Sequence, residues 1–291
     1  MPEGPEVETI RRGLELGIVG QQFADVEVLF EGSFPLTKER RERVLVGAVV
    51  THVERRGKVL MVQMDTGYCL MFHLKMTGQV VLVKMDGERF AGGHPTESMA
   101  ASLPDRSTRV VFEFASGDRL YFNDQRKFGW IKLVPTDEVR HDALVSRMGP
   151  EVLSGEFTVT WLGAALKRHG RAPVKAVILD QSVAPGIGNI YADESLNRAR
   201  IHPARLAGSL KGAEVKRLHG AVREIIALGI QHGGTSFSHY VNSLGGEGDY
   251  LDHARVFRRE GQPCREHPDT LVRKIRVAGR GTYICPKCQK L

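Results

Sequence analysis

Four side chains near the carboxyl end have the types and spacing of a metal centre. Cys285-Pro286-Lys287-Cys288 places two thiols with two residues between them, and Cys264 with His267 makes a second pair of the same spacing. Seventeen residues lie between the pairs, enough for a hairpin, and two such pairs can close a tetrahedral zinc site. Three thiolates and an imidazole leave no open coordination position. The expected role is therefore structural, with the ion supplying folding energy to a segment too short for a core. Asp269 competes with His267 for the fourth place, and in that alternative His267 is an ordinary surface histidine. Arg280, in AGRG at the hairpin tip, is either a bidentate phosphate ligand or a solvated turn arginine. Cys69 stands apart in the apolar run CLMFHL and reads as a small buried hydrophobe rather than a nucleophile. This cysteine usage does not suggest a disulfide framework.

A different chemistry is possible at the other end. Removal of Met1 would make Pro2 a free secondary amine. Such an amine titrates near ~8 and is far less protonated at neutral pH than a lysine. It could attack a sugar C1′ and form an iminium intermediate. Glu3 and Glu6 lie within one helical turn and could carry protons during ring opening and elimination. The competing reading is that both carboxylates simply favour a helix N-terminus. A third site is suggested by PGIGNIYADE, residues 185–194. Gly186 and Gly188 permit close backbone approach, and Asn189 precedes a helix. Backbone N–H groups and the Asn amide suit a phosphate oxygen there. A structural turn with Asn189 as helix cap is the alternative.

These groups need elements to hold them. Pro5 fits a first helical turn, and Val7, Ile10 and Leu14 make one apolar stripe, so a short helix starts the chain. Short strands follow to about residue 135: VLMVQM, CLMFHLKM, QVVLV, RVVFEF and RLYF. Residues 85–107 have few large apolar side chains and read as a long loop. An antiparallel sandwich or flattened barrel with the helix across it is expected. Helical patterns then dominate, at 137–148, 158–169, 173–180, 190–198 and 211–229. Between the last helix and the tail, residues 232–250 read as a ligand-facing segment. RKIRV-AGRG-TYIC reads as a closing hairpin with Gly279 and Gly281 at its turn. The expected fold is two-domain α+β, divided as 1–135, 136–250 and 251–291, the last being the metal-binding finger.

Composition sets bounds on partners. The chain has 291 residues, 42% hydrophobic and 26% charged, which is ordinary for a globular protein. The formal charge of +7 favours an anionic partner such as nucleic acid. No basic-then-apolar leader and no run of membrane-spanning length is visible, so the cell interior, the cytoplasm, is the expected compartment.

Taken together, PEGPEVE (2–8), RRGK (55–58), HLKMTG (73–78), DQRKFG (124–129), DQ…PGIGNIYADE (180–194) and GRGTYICPKCQ (279–289) resemble the formamidopyrimidine-DNA glycosylase family, which is related to endonuclease VIII. The resemblance runs over essentially the full length. It implies two DNA-binding lobes, the second a helix–two-turn–helix domain followed by a zinc finger. It also implies a monomeric base-excision enzyme that removes oxidised purines, 8-oxoguanine and formamidopyrimidines, from duplex DNA. The abasic strand is then cut by β,δ-elimination. No organic cofactor is implied. Pro2 inherits the attack on C1′, Glu3 the main acid–base role and Glu6 an assisting one. Lys58 inherits a phosphate contact facing the lesion. Asn189 and Arg280 match the clamps on flanking phosphates. The base is turned out of the stack for attack. Met76, Arg126 and Phe128 match the residues that fill the gap, with Arg126 reading the opposite cytosine. Ser236–Leu244 corresponds to a loop over the extruded base.

Three positions depart from the family pattern. His267 stands where a cysteine is usual, Lys127 where an arginine is common, and Lys75 where a small residue is frequent. Lys127 keeps the charge but loses the bidentate fork. Two rivals remain open on sequence: an endonuclease VIII-like preference for oxidised pyrimidines, and a non-enzymatic damage-binding protein.

Overall fold

The apolar stripe at the amino terminus builds α1 (Gly4–Ile18), which buries Val7, Ile10, Leu14 and Ile18 on one face. The helix is longer than the short one expected. The computed structural model describes residues 2–94, 99–235 and 248–291. Contacts divide it into two units, Met1–Ser146 with Gly233–Gly248, and Arg147–His232 with Asp249–Leu291. The division falls at 146/147 rather than at 135/136. The finger belongs to the second unit, because its strands bond to that unit's helices.

The first unit is an antiparallel sandwich. One sheet has the order β1 (Phe23–Val28), β7 (Thr108–Phe114), β8 (Arg119–Asp124), β5 (Gly78–Val83), β6 (Arg89–Gly93). The other has the order β2 (Val50–Arg56), β3 (Val59–Met64), β4 (Tyr68–His73), β9 (Trp130–Pro135). Their inner faces share one core, in which Phe23, Phe34, Phe72, Phe112, Phe114 and Phe122 interlock. Helix α1 packs against β2 and β6, one edge strand of each sheet, and so covers two edges that would otherwise be open to pairing. Gly13 makes this approach possible, since a Cβ there would lie 1.9 Å from the Phe90 ring of β6.

Strand β6 corrects the reading of 85–107 as one long loop. Its sequence, RFAGG, carries little β-propensity and is recruited by ladder bonds to β5. A second correction is α2 (Lys38–Leu45), capped by Thr37 and missed because only Arg41 and Leu45 of its eight residues are buried. The helix expected at 137–148 is instead two 3-10 turns, Thr136–His141 and Val145–Arg147.

The second unit is helical: α3 (Val159–Arg168), α4 (Val174–Leu179), α5 (Asn189–Arg198), α6 (Gly212–Gln231) and α7 (Tyr250–His253). The first four match the expected segments and bury a common core, with Tyr191, Leu196, Leu218 and Val222 at its centre. The tail hairpin is β10 (Arg273–Val277) and β11 (Arg280–Ile284). Its two-residue turn is Ala278-Gly279, both at positive φ (48° and 76°), as a type I′ turn requires. Gly281 therefore lies in the strand, not at the turn as expected from sequence.

Candidate active site and metal centre

Pro2 is buried in the extended segment before α1, and Glu3 is the N-cap residue, 3% exposed. The Glu3 backbone N–H donates to Glu6 Oε2 at 2.9 Å. Glu6 Oε1 in turn accepts from the backbone N–H of Thr235 at 2.8 Å and its hydroxyl at 3.1 Å. Gly234, at φ 82°, lets the turn come this close, because a Cβ there would meet Glu6 Oε1 at 2.7 Å. Glu6 is thus committed to three donors. Its carboxylate fixes the amino terminus, and this arrangement suits positioning better than proton transfer.

Lys58 sits at the β2–β3 turn, where Gly57 at φ 55° supplies the left-handed first position of a two-residue hairpin. Its side chain is largely buried, at 8% exposure. The Lys75 and Lys58 charges add to burial in holding the His73 imidazole down to about 4. Lys75, at φ 51°, donates its backbone N–H to His73 Nδ1 at 3.0 Å. Glu8 fastens the helix to the turn that carries Lys58: it pairs with Arg11 at 3.1 Å, Arg12 at 2.9 Å and Arg55 at 3.2 Å. Arg55 then donates to the Gly57 carbonyl at 2.7 Å. Sequence reading gave Glu8 no role, although it closes the PEGPEVE string.

Met76, Arg126 and Phe128 are all exposed, unlike core residues. Large apolar side chains at 42% and 54% exposure, on two neighbouring loops, need a partner surface. The loops are joined by Asp124, which is fully buried. It accepts from the Thr77 hydroxyl, from the backbone of Arg126 at 3.1 Å and from that of Gly129 at 2.6 Å. The Arg126 guanidinium lies 4.9 Å from the Phe128 ring centre. Lys127 is at φ 60°, with its ammonium 4.7 Å over the ring of Phe30. Asp124 too carried no role in the sequence reading. Ser236–Leu244 lies outside the described residues. Cys69 is buried, and burial with the Glu54 charge pushes its thiol up to about 12, which removes it as a nucleophile.

In the second unit Asn189 is not the cap of α5, a place taken by Gly188. Its amide donates to the Gly281 carbonyl of β11 at 3.0 Å. Lys175 and Asp193, both fully buried, form an ion pair at 2.7 Å beside it. The Lys175 ammonium also reaches Thr282 Oγ1 at 2.7 Å, while Asp193 accepts from the Tyr283 backbone at 2.9 Å. Burial raises the Asp193 carboxyl to about 6 against the pull of Lys175. These bonds set Asn189 and the strand of Arg280 in one register. Arg280 itself is exposed, as are Arg273, Lys274 and Arg276 on the same hairpin. Glu194, fully buried, accepts the backbone N–H groups of Arg255, Val256 and Phe257 at 2.7, 2.9 and 2.7 Å and so anchors the turn that leads into the finger.

Cys264, His267, Cys285 and Cys288 bring their ligand atoms together, all within 4.8 Å of one another. Sγ of Cys264 and of Cys288 are 3.7 Å apart, close to the ~3.8 Å that two Zn–S bonds of about 2.3 Å subtend at a tetrahedral angle. Nδ1 of His267 is 3.2 Å from Cys288 Sγ and 4.0 Å from Cys264 Sγ. Asp269 is not in the cluster. Burial and the neighbouring Cys285 and Cys264 raise the Cys288 thiol, so the metal-free set resists full ionisation. A dication removes that conflict, and the donor set fits zinc.

The chain matches three family models: the formamidopyrimidine-DNA glycosylase N-terminal domain over residues 1–131, its H2TH domain over 148–241, and a zinc finger found in FPG and IleRS over 269–291. The last match includes Cys285 and Cys288 but neither Cys264 nor His267. The formamidopyrimidine-DNA glycosylase of Pelotomaculum thermopropionicum is 39% identical, with 100% of both chains covered. That of Symbiobacterium thermophilum is 40% identical over 99% of this chain and 89% of its own. Among solved structures, a Lactococcus lactis Fpg variant with DNA containing Fapy-dG superposes with a TM-score of 0.87 at 32% identity, covering 100% of each chain. The Lactococcus lactis Fpg bound to DNA containing an abasic site gives 0.87 at 32%, covering 99% of this chain and 100% of the other.

Proposed function

The chain belongs to the bacterial formamidopyrimidine-DNA glycosylase family, and from that membership we propose how its own residues divide the work. It is a base-excision glycosylase and AP lyase that removes oxidised purines through a Schiff base, followed by β,δ-elimination. Pro2, freed of Met1, attacks C1′ of the damaged nucleotide. The C1′–N bond to the base breaks, and the departing base takes up a proton. The sugar ring opens as the iminium forms, and Glu3 protonates the ring oxygen. The iminium acidifies the C2′ hydrogens, so loss of one expels the 3′ phosphate, and a second elimination expels the 5′ phosphate. Lys58 holds a phosphate near the reacting sugar, and its charge favours elimination. Glu6 keeps the amine-bearing segment in place.

Asn189 and Arg280 clamp phosphates, and Met76, Arg126 and Phe128 fill the space of the extruded nucleotide. Zinc held by Cys264, His267, Cys285 and Cys288 would carry no step of the reaction; it would fold the hairpin that presents Arg280. We place the enzyme as a monomer on duplex DNA in the cytoplasm, where reducing conditions keep zinc-binding thiols available.

The observation that carries this reading is the tied amino terminus: Glu3 N–H on Glu6 at 2.9 Å, and Thr235 N–H on Glu6 at 2.8 Å, hold the segment that follows Pro2 directly. Borohydride trapping on duplex DNA with 8-oxoguanine opposite cytosine tests it. The wild type should form a covalent adduct, and Pro2→Gly or a retained Met1 should lose it while still binding DNA. Normal binding with no adduct in the processed wild type would overturn the nucleophile. Faster excision of thymine glycol than of 8-oxoguanine would overturn the purine preference.

A further inference from the structure

A second cluster of metal-ligating side chains lies in the helical unit, apart from the four finger ligands. His232 caps the carboxyl end of α6, Asp249 caps the start of α7, and His253 ends α7. Their imidazole nitrogens and carboxylate oxygens all lie within 4.8 Å of one another. His232 Nδ1 is 2.7 Å from Asp249 Oδ1, and His253 Nε2 is 3.6 Å from Asp249 Oδ2. The two imidazole rings are 3.7 Å apart between centroids. For a cation bound at ~2.1 Å, adjacent ligand atoms stand roughly 3.0 to 3.4 Å apart, so small side-chain rotations bring the 2.7 and 3.6 Å separations into that range.

We infer that His232, Asp249 and His253 form a second, surface-accessible transition-metal site. Two imidazoles and one carboxylate are borderline donors. They select Zn²⁺, Ni²⁺ or Cu²⁺ over Mg²⁺ and Ca²⁺, which take oxygen ligands. The site has three protein ligands and partial exposure, with side chains at 18%, 51% and 41%, so water completes the coordination. The carboxyl end of the long α6 helix adds a favourable partial negative charge. The Asp249 backbone N–H donates to the His232 carbonyl at 3.0 Å, so two of the three ligand-bearing residues are already held together by the backbone. The inference stands apart from the glycosylase reading, because none of the three residues has a part in that chemistry.

The test uses the full-length protein with its finger metal retained. After exhaustive dialysis, Co²⁺ is titrated while absorption is recorded. The wild type should bind one further equivalent whose d–d bands lack the thiolate-to-metal charge transfer of a cysteine site. His253→Gln and Asp249→Asn should each weaken that equivalent on the order of 100-fold, with finger metal content and thermal melting unchanged. No further equivalent in the wild type, or one that persists undiminished in both variants, would overturn the site.

Discussion

Compare the support under Pro2 with the support under Arg280. In the first unit the reactive segment rests on a large aromatic core and is then pinned by carboxylates: Glu6 to the Thr235 turn, Glu8 to Arg55 and the Gly57 turn. In the finger the core consists of Val256, Cys264, Val272, Cys285 and Cys288, three of them ligand candidates. There the packing is the coordination. On the proposed reading, catalytic geometry depends on ordinary folding, whereas the Arg280 clamp would depend on metal. Removal of zinc should separate the two regions with the largest effect of any single change, since structural zinc contributes roughly 10–16 kcal/mol to such segments. Chelation should unfold the hairpin and abolish tight DNA binding, while the β-sandwich keeps its own amide-exchange protection. Equal loss of protection in both units would show that the first region leans on the finger after all.

The two carboxylates at the amino terminus refine the contrast within the first unit. Glu3→Gln should lower base excision and lyase rates by about 10²–10⁴ with little change in stability, as expected of a proton carrier. Glu6→Gln should instead destabilise the unit by roughly 1.5–3 kcal/mol, because Glu6 accepts three hydrogen bonds that an amide cannot all replace. Its rate loss should follow the loosened amino terminus. Single-turnover kinetics beside chemical denaturation distinguish these outcomes, and a reversed pattern would exchange the roles.

Much of this was legible in the residues because the informative signals are local. CxxC spacing, a proline after Met1, an i,i+3,i+7 stripe and a glycine-rich helix entry each sit within a few positions. What escaped was long-range. Asp124 joins the 74–78 turn to the 125–129 loop, Glu194 caps backbone sixty residues away, and Glu8 reaches Arg55. A buried carboxylate looks like any surface acid until its partners are known. Strand β6 escaped for the same reason: its pairing with β5 is tertiary, while its glycines speak for a loop. His267 was legible as a ligand candidate against Asp269, and geometry separates them, since only His267 joins the cluster.

The cationic neighbourhood of His73 offers a smaller, pH-dependent probe of the catalytic side. Its folded pKa lies at about 4, below the ordinary 6.5. Between these values the unfolded chain binds the proton and the folded chain refuses it. The stability contributed by the neutral ring is therefore complete above pH 6.5 and is lost as pH falls towards 4. His73→Asn should flatten that part of the stability–pH curve of the first unit and leave the finger's zinc affinity unchanged. An identical curve for the variant would place the acid sensitivity elsewhere.

Lys127 provides the finest test, because two contributions to stability nearly cancel there. A non-glycine residue at φ 60° costs about 1–2 kcal/mol, and an ammonium over the half-buried Phe30 ring returns about 0.5–1. Lys127→Gly removes both and should change stability by no more than about 1.5 kcal/mol. DNA binding is then the discriminating readout. If Lys127 swings from Phe30 to a phosphate in the complex, the variant should lose about 0.9 from the slope of log affinity against log salt. If the ammonium stays on the ring, the slope will not move. Lys127→Arg should keep the slope and tighten binding slightly, since a guanidinium can contact a phosphate with two parallel bonds.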